Sequence, residues 1–400
     1  MHFATLLTLP LLAAAVPTSP FMVQGNGGAG QAVFAGRPGS GSAASAALGG
    51  FEVDIDLQEL RLVQFAENDP PVWITELEKI EAKAAGRRFM DITETRTLGV
   101  SSFLAPASAT KYKYPKPGKQ ADQIKAITKT LSVEKMKTFL TKFSGFRTRY
   151  YRSDTGRESQ RFLLATLQEI AVGTNVEFTE FTHSWGQNSI IARFPGVADG
   201  PVTIVGAHQD STNMWPFLPA PGADDDGSGT TSSLEAFRAL VHANFTPPNP
   251  VEFHYFSAEE GGLLGSQAVA KAYEEKGVKV RAMLQMDMTA WVKKDTVESV
   301  GVIQDYVDPA LTDFVEACVT EYLAIPPVKT QCGYSCSDHA SFTKAGYQSA
   351  FAIESTFEDS NKNIHSSQDT IDHPEFSFTH MREFSKLAIA FAVELSAAKD

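Results

Sequence analysis

The sequence predicts an α/β protein, a three-layer α/β/α sandwich with a mixed, mostly parallel central sheet. Two observations predict it. From Asn175 onward, short β-rich runs take turns with segments of helical periodicity, which is the pattern of helices packed on both faces of one sheet. In the same region His, Asp and Glu recur just past successive strand runs, where open sheets of this kind collect their ligands. The composition allows a sizeable core, with 43% hydrophobic and 20% charged residues.

The chain opens with "MHFATLLTLPLLAAAVPTSP", apolar from Phe3 to Val16 and followed by small residues. That length suits a signal peptide and is short for a membrane span, so residues 1–17 are read as a leader and the protein is expected to be secreted. Residues 25–50 are a Gly/Ala/Ser-rich low-complexity stretch with no pattern to bury. "WITELEKIEAKAAGRRFMDITET" predicts a charged amphipathic helix from Ile74 to Ala85, with Trp73, Ile74, Leu77, Ile80, Phe89 and Met90 as an apolar face to bury. "APASATKYKYPKPGKQ", residues 105–120, reads as a loose linker and a plausible processing point. The compact domain follows, with its boundary placed at residue 115, which leaves 18–114 as a separate N-terminal region.

Helical periodicity marks "QADQIKAITKTL", "VEKMKTFLTKFSGF" and "RESQRFLLATLQEIA" at the start of this domain. "VEFTEFTHSW" and "NSIIARFPG" read as a hairpin, and "PVTIVGAHQDS" as a more buried strand. The helix "GTTSSLEAFRALVHANF", the strand "VEFHYFSAEE" and the helix "LLGSQAVAKAYEEKG" come next. The strands "RAMLQMDMTA" and "ESVGVIQDY", the helix "DPALTDFVEACVTEYL", the strand "SAFAIES" and the helix "FTHMREFSKLAIAFAVELSAA" complete the domain.

A net charge of −12 argues against nucleic acid and anionic membranes as partners. No internal apolar run is long enough to cross a bilayer. Three cysteines are too few for a disulfide scaffold, and Cys318, within a helical run, reads as a buried free thiol. Asn244 heads the sequon "NFT", directly followed by Pro247, and is a possible glycosylation site.

The residues past the strand runs are His208 and Asp210, then Asp224, Asp225 and Asp226, then Glu259 and Glu260, then Asp287, and finally His365. Each alone has a bland reading: a His satisfied by its neighbours, an Asp capping a turn, a Glu pair on a solvated face. Together, at equivalent ends of one sheet, they point to metal chemistry. Two His and three carboxylates with no thiol among them suit zinc or a similar divalent ion. Three adjacent aspartates repel one another unless a cation or donor neutralises them. One of them bridging two dications resolves that conflict, leaving the others to cap the following helix or orient neighbours.

The motifs "GAHQDST", "PGADDDGSG", "FSAEEGGLLGS", "QMDMT", "CGYSCSDHASF" and "IHSSQDTI", in this order, resemble the M28 family of co-catalytic zinc aminopeptidases, in particular its secreted fungal leucine aminopeptidases. The similarity spans about Lys119 to the end, and "WITELEKIEAKAAGRRFMDIT" is similar to the propeptide of that branch. The resemblance implies two zinc ions per chain, with Asp225 as the bridging ligand, His208 and Asp287 completing one site, and Glu260 and His365 completing the other. It implies Glu259 as the general base, Asp210 as the carboxylate that orients His208, Tyr334 as a residue polarising the scissile carbonyl, and a cis peptide between Asp225 and Asp226. It implies an apolar substrate pocket built from Met288, Ile303, Phe351, Ile353, Phe357 and Ile364. Cys332 and Cys336 are two core thiols on their own reading; secretion and the family pattern favour a disulfide between them.

The expected protein is therefore a monomeric metallo-exopeptidase. It takes peptides with a free N-terminus, prefers leucine or another large apolar first residue, and is held inactive by its own propeptide (18–114) until cleavage. A single-zinc, glutaminyl-cyclase-like enzyme of the same fold is the alternative. A non-catalytic binding relative is a second one, weakened by the complete ligand set.

Overall fold

The computed structural model describes residues 44–45, 51–100 and 111–399. The apolar leader, most of the low-complexity stretch and residues 101–110, which include the first six residues of the expected linker, lie outside the described residues.

The N-terminal region begins with the two-residue strands β1 (Ala44–Ser45) and β2 (Asp54–Ile55). A three-stranded antiparallel sheet follows in the order β4-β3-β5, made of β3 (Leu60–Gln64), β4 (Val72–Thr75) and β5 (Met90–Asp91). Between β4 and β5 runs α1 (Glu76–Ala84). Its start differs from the expected Ile74. Thr75 caps the helix, its hydroxyl accepting from the Glu78 amide while the Glu78 carboxylate accepts from the Thr75 amide. The β-prone Trp73 and Ile74 before that cap pair with Leu62 and Arg61 as a strand. The expected buried face holds in part: Ile80 and Met90 are buried, but Glu76, Lys79 and Ala82 are buried with them, whereas Trp73 remains 50% exposed under the guanidinium of Arg96.

The domain carries eight further strands: β6 (Glu177–Phe181), β7 (Ser189–Phe194), β8 (Val202–His208), β9 (Val251–Phe256), β10 (Val280–Met286), β11 (Val300–Ile303), β12 (Pro327–Thr330) and β13 (Ser349–Ile353). They form one sheet in the order β12-β11-β13-β10-β8-β9-β7-β6. The central β13, β10, β8 and β9 run parallel, as do β11 and β12, while β11–β13, β9–β7 and β7–β6 are antiparallel. The helices are α2 (Ala121–Thr128), α3 (Val133–Phe143), α4 (Asp154–Ile170), α5 (Gly227–His242), α6 (Leu264–Lys276), α7 (Pro309–Tyr322), α8 (His339–Lys344) and α9 (Phe378–Ser396).

Strand side chains alternate between faces, so each central strand feeds two cores. Val205 and Leu284 join α5, α7 and α9 in one core, whereas their neighbours Ile204 and Met283 join α6 and α8 in the other. This is the expected mixed three-layer sandwich. Strand β12, helix α8 and the small N-terminal sheet are additions to the sequence reading; β12 is an edge strand of four residues that begins with Pro327, and α8 has only six residues and no side-chain cap. The expected looseness of 105–120 fails for its second half. The Tyr114 ring lies 5.7 Å from that of Phe314, and its hydroxyl donates to the Arg281 carbonyl. The Gly118 amide donates to Glu394. No helix among the described residues is long and apolar enough to cross a membrane.

Candidate metal centre

The predicted ligands converge at the carboxyl ends of the parallel strands. His208 is the last residue of β8, Asp287 follows β10 directly, and Glu259 and Glu260 lie in the turn between β9 and α6. Asp225 sits in the loop that leads into α5, and His365 beyond β13, with a positive φ of 56°.

Asp225 faces both histidines. Its Oδ1 lies 3.0 Å from His208 Nε2 and its Oδ2 lies 3.0 Å from His365 Nε2. His208 Nε2 is also 3.6 Å from Asp287 Oδ1, and His365 Nε2 is 3.0 Å from Glu260 Oε2. All five residues are buried. His208 Nδ1, on the far side of the ring, faces Asp210 Oδ1 at 3.4 Å, and the two Asp210 oxygens accept from the amides of Glu259 and Glu260. Asp210 therefore ties one ligand to the turn that carries the next.

The other two aspartates of the triplet are committed to the backbone. Asp226 caps α5 through Gly229 and also accepts from the amides of His208 and Met288. Its carboxylate stands beside His208 and Asp287, yet those three N–H donors already occupy it. Asp224 accepts from the Ala290 amide and from Asn361. The Asp225–Asp226 peptide is cis.

Two residues without an expected role support this frame. Ser337 donates to Asp287 Oδ2 at 2.6 Å, and Asp369 accepts from the amides of Asp224 and Asp225. Both stand inside the quoted motifs, "CGYSCSDHASF" and "IHSSQDTI", but a hydroxyl or carboxylate that bonds to backbone or to another ligand has no signature of its own. Burial, reinforced by the Asp224 charge, pushes the Asp369 carboxyl up to about 8.

The residues fit divalent cations. Two groups bring their donor atoms within 4.8 Å of one another: His208 with Asp226 and Asp287, and Asp225 with Glu260 and His365. Buried Asp287 Oδ1 and Glu260 Oε1 have no hydrogen-bond donor. Buried carboxylate oxygens without donors are costly unless a cation neutralises them. The donors are imidazole and carboxylate with no thiol, which suits zinc or its neighbours. Burial pushes Glu259 well above the ordinary carboxylate range, with only His208 among the nearby charges pulling strongly the other way. Burial pushes Glu260 up as well, but the charges of His365 and Lys83 outweigh it and leave the group low.

A cavity of about 280 Å³ opens onto these groups. Its apolar wall includes Met288, Phe351, Ile353, Phe357 and Ile364, as the expected pocket has it. Ile303 departs from that set: it is fully buried and packs behind the wall with Phe351 and Ile353. Cys332 and Cys336 form a disulfide beside this cluster. Asp305 accepts from the amides of Cys332 and Gly333, which steadies the disulfide loop. Tyr334, within that loop, lines the cavity, and burial pushes its phenol up to about 12. Cys318 is a buried free thiol, and Asn244 is exposed just past α5. The N-terminal region adds Lys83, Arg87, Arg88 and Phe89 to the wall, beside Met214, Leu263 and Lys362 of the domain.

Residues 189–392 match the model of peptidase family M28. The chain is 47% identical to leucine aminopeptidase 1 of Chaetomium globosum over 338 residues, covering 81% of this chain and 82% of that protein. It is 48% identical to the Neurospora crassa protein of the same name over 340 residues, 82% of this chain and 83% of the relative. Among solved structures, the Legionella pneumophila LapA aminopeptidase superposes with a TM-score of 0.75 at 26% identity, covering 86% of this chain and all of that one, 100%. A family model that covers the ligand-bearing sheet, and relatives of this identity over most of the chain, establish that this protein belongs to peptidase family M28.

Proposed function

We propose that this chain is a secreted aminopeptidase with two zinc ions, made as an inactive precursor, that removes leucine or another large apolar residue from the N-terminus of peptides. One observation carries the reading: the two oxygens of Asp225 face two different histidines at 3.0 Å, the arrangement of a carboxylate shared by two cations. His208 and Asp287 would hold one ion, and His365 and Glu260 the other. When bound, such a pair supplies Lewis acidity and brings the pKa of a water down toward about 7.

The remaining chemistry belongs to the side chains. Glu259 borders the cavity from a turn fixed by the Asp210 bond to its amide, in position to take a proton from water and return it to the leaving amine. Tyr334 stays protonated at any physiological pH and can donate to the scissile carbonyl. The wall of Met288, Phe351, Ile353, Phe357 and Ile364 offers an apolar site for the first side chain. Such a wall discriminates only shallowly among large apolar residues. Secretion is supported by the apolar leader and by the Cys332–Cys336 disulfide, a bond of oxidising compartments. The precursor reading is supported by residues 83 and 87–89, which share the cavity with Asp225, Glu259 and His365.

The test uses the full chain before and after cleavage within residues 101–110. Leucyl anilide hydrolysis should rise on cleavage, vanish with a chelator and return with zinc. Chelator-insensitive turnover would defeat the metal reading. Cyclisation of glutaminyl peptides in place of leucyl hydrolysis would defeat the aminopeptidase reading. Equal hydrolysis before and after cleavage would defeat the precursor reading alone.

A further inference from the structure

The contact between α1 and the metal centre is ionic as well as steric. Lys83 Nζ lies 2.5 Å from Glu260 Oε2, and its side chain is only 15% exposed. The same ammonium donates to the Glu260 carbonyl at 2.9 Å. Glu260 Oε2 is also the oxygen that faces His365 Nε2 at 3.0 Å. A single carboxylate oxygen thus meets both a candidate metal ligand and the cation of the N-terminal region.

Lys83 is not free to swing away. One turn earlier on α1, Lys79 is buried between Glu76 and Asp91 and donates to the Gly261 carbonyl. Asp91 donates its amide to the Gly262 carbonyl, and Gln267 reaches back to the Asp91 carbonyl. Gly262 has a φ of +102°, and a Cβ there would stand 2.7 Å from the Asp91 amide nitrogen. The turn that carries Glu260 is therefore seated against α1 and β5 at several independent points.

We propose that Lys83 stands in for one of the two cations: while residues 51–99 are docked, its ammonium holds Glu260, and the Asp225–Glu260–His365 group takes up its divalent ion far more weakly than it does once that charge is gone. The inference rests on the two-cation reading above and deepens it, since it makes the N-terminal region a gate on metal loading as well as a cover over the cavity. The His208–Asp225–Asp287 side has no lysine or arginine of the N-terminal region paired to its carboxylates among the described residues, so it loads independently. Like charges at hydrogen-bond range repel in a buried site, where water screens them poorly.

The full chain, metal-free and uncleaved, is titrated with zinc while binding is followed by calorimetry and by metal analysis after gel filtration. Wild type should bind one zinc tightly and a second at least about tenfold more weakly. K83M keeps the length of the side chain and removes the charge; its second zinc should tighten by at least about tenfold while the first is unchanged. R88A removes a neighbouring charge that lies over the Tyr334 ring and should leave the second affinity as in wild type. Two equally tight zinc ions in wild type would overturn the proposal, since buried Glu260 Oε1 would then be accepting the ion with Lys83 in place. An unchanged second affinity in K83M, or an equal gain in R88A, would also overturn the pairing. Absence of zinc binding in every form would instead overturn the two-cation reading itself, and this proposal with it.

Discussion

Asp225 differs from Asp224 and Asp226 in what surrounds its carboxylate. Those two accept backbone N–H groups, whereas each Asp225 oxygen faces the imidazole nitrogen of a different histidine. Its removal should therefore cost both cation sites, while His208→Ala or His365→Ala should cost one each. Zinc titration of the three variants checks this: Asp225→Ala should retain less than one zinc per chain, and each His variant about one. An equal loss in all three would argue against sharing. Glu259 sits one residue from a ligand, with its amide on Asp210 and its carboxyl at the cavity. Glu259→Gln should leave zinc content unchanged and lower kcat by about 10²- to 10⁴-fold. A variant that retains more than about a tenth of wild-type kcat would remove Glu259 from the role of base. That these groups gather is legible in the sequence, because strand ends in an open sheet make distant residues neighbours, while the choice of Asp225 within its triplet and of Glu259 as base comes from the family resemblance. The supports are not: Asp369 and Ser337 act through a backbone amide and a partner's carboxylate, and nothing about their spacing distinguishes such a bond from an ordinary turn.

At the scale of elements, the domain is legible wherever a segment fills a full period and carries its own cap. Ser132, Ser153, Asp308 and Ser377 each accept from an amide in the first turn of α3, α4, α7 and α9. The N-terminal region is harder to read, because four of its buried residues, Arg61, Glu76, Lys79 and Asp91, are charged, and a hydrophobic pattern does not find them. Trp73 looks like core by composition and is half exposed, whereas Glu76 and Lys79 are buried. The β6–β7 connection holds another buried polar group with a measurable consequence. His183 stacks on Trp185 with ring centroids 4.4 Å apart, and its Nε2 shares a hydrogen bond with Ser189. Burial lowers its pKa to about 4. Between the unfolded value of about 6.5 and that folded value, the unfolded chain binds the extra proton. The stability that this neutral His contributes is thus complete above about pH 6.5 and is lost as pH falls toward 4, by at most about 3 kcal/mol. His183→Phe keeps the stack and removes the titration. Thermal unfolding of the two proteins from pH 7 to 4 should show a shallower decline for the variant. Parallel curves would mean that His183 does not set this slope.

At the scale of the whole molecule, the N-terminal unit is built round a buried set of its own charges, two of whose members also reach the domain: Lys79 donates to the Gly261 carbonyl and the Asp91 amide to the Gly262 carbonyl. Arg61, Glu76, Lys79 and Asp91 have side chains no more than 3% exposed, and Asp91 Oδ2 accepts from both Arg61, at 2.8 Å, and Lys79, at 3.1 Å. Glu76 closes the set with a 2.8 Å contact to Lys79. Burial opposes charge on Asp91, but Lys79 and Arg61 outweigh it and hold the carboxyl below its ordinary value. Such a set adds little stability compared with well-packed apolar residues, yet it is strongly destabilised when one member is lost, because the rest stay buried and uncompensated. Asp91→Ala leaves Lys79 and Arg61 with only Glu76 inside the buried set, Glu59 pairing with Arg61 from its partly exposed rim, and should destabilise the unit by about 3–5 kcal/mol. The cost should fall on residues 51–99 and not on the sheet, whose two cores are formed by α2 to α9 and their strands, with Leu98 the one residue of the unit in either. Hydrogen exchange on the uncleaved chain should show early opening of β3, α1 and β5 with β8, β9 and β10 still protected, and leucyl hydrolysis by that chain should rise toward the cleaved level. Pairing the change with Lys79→Met restores charge balance and should recover most of the protection. If Asp91→Ala instead made the whole chain exchange together, the unit would be part of the domain's own core, and a removable cover would be the wrong description of it.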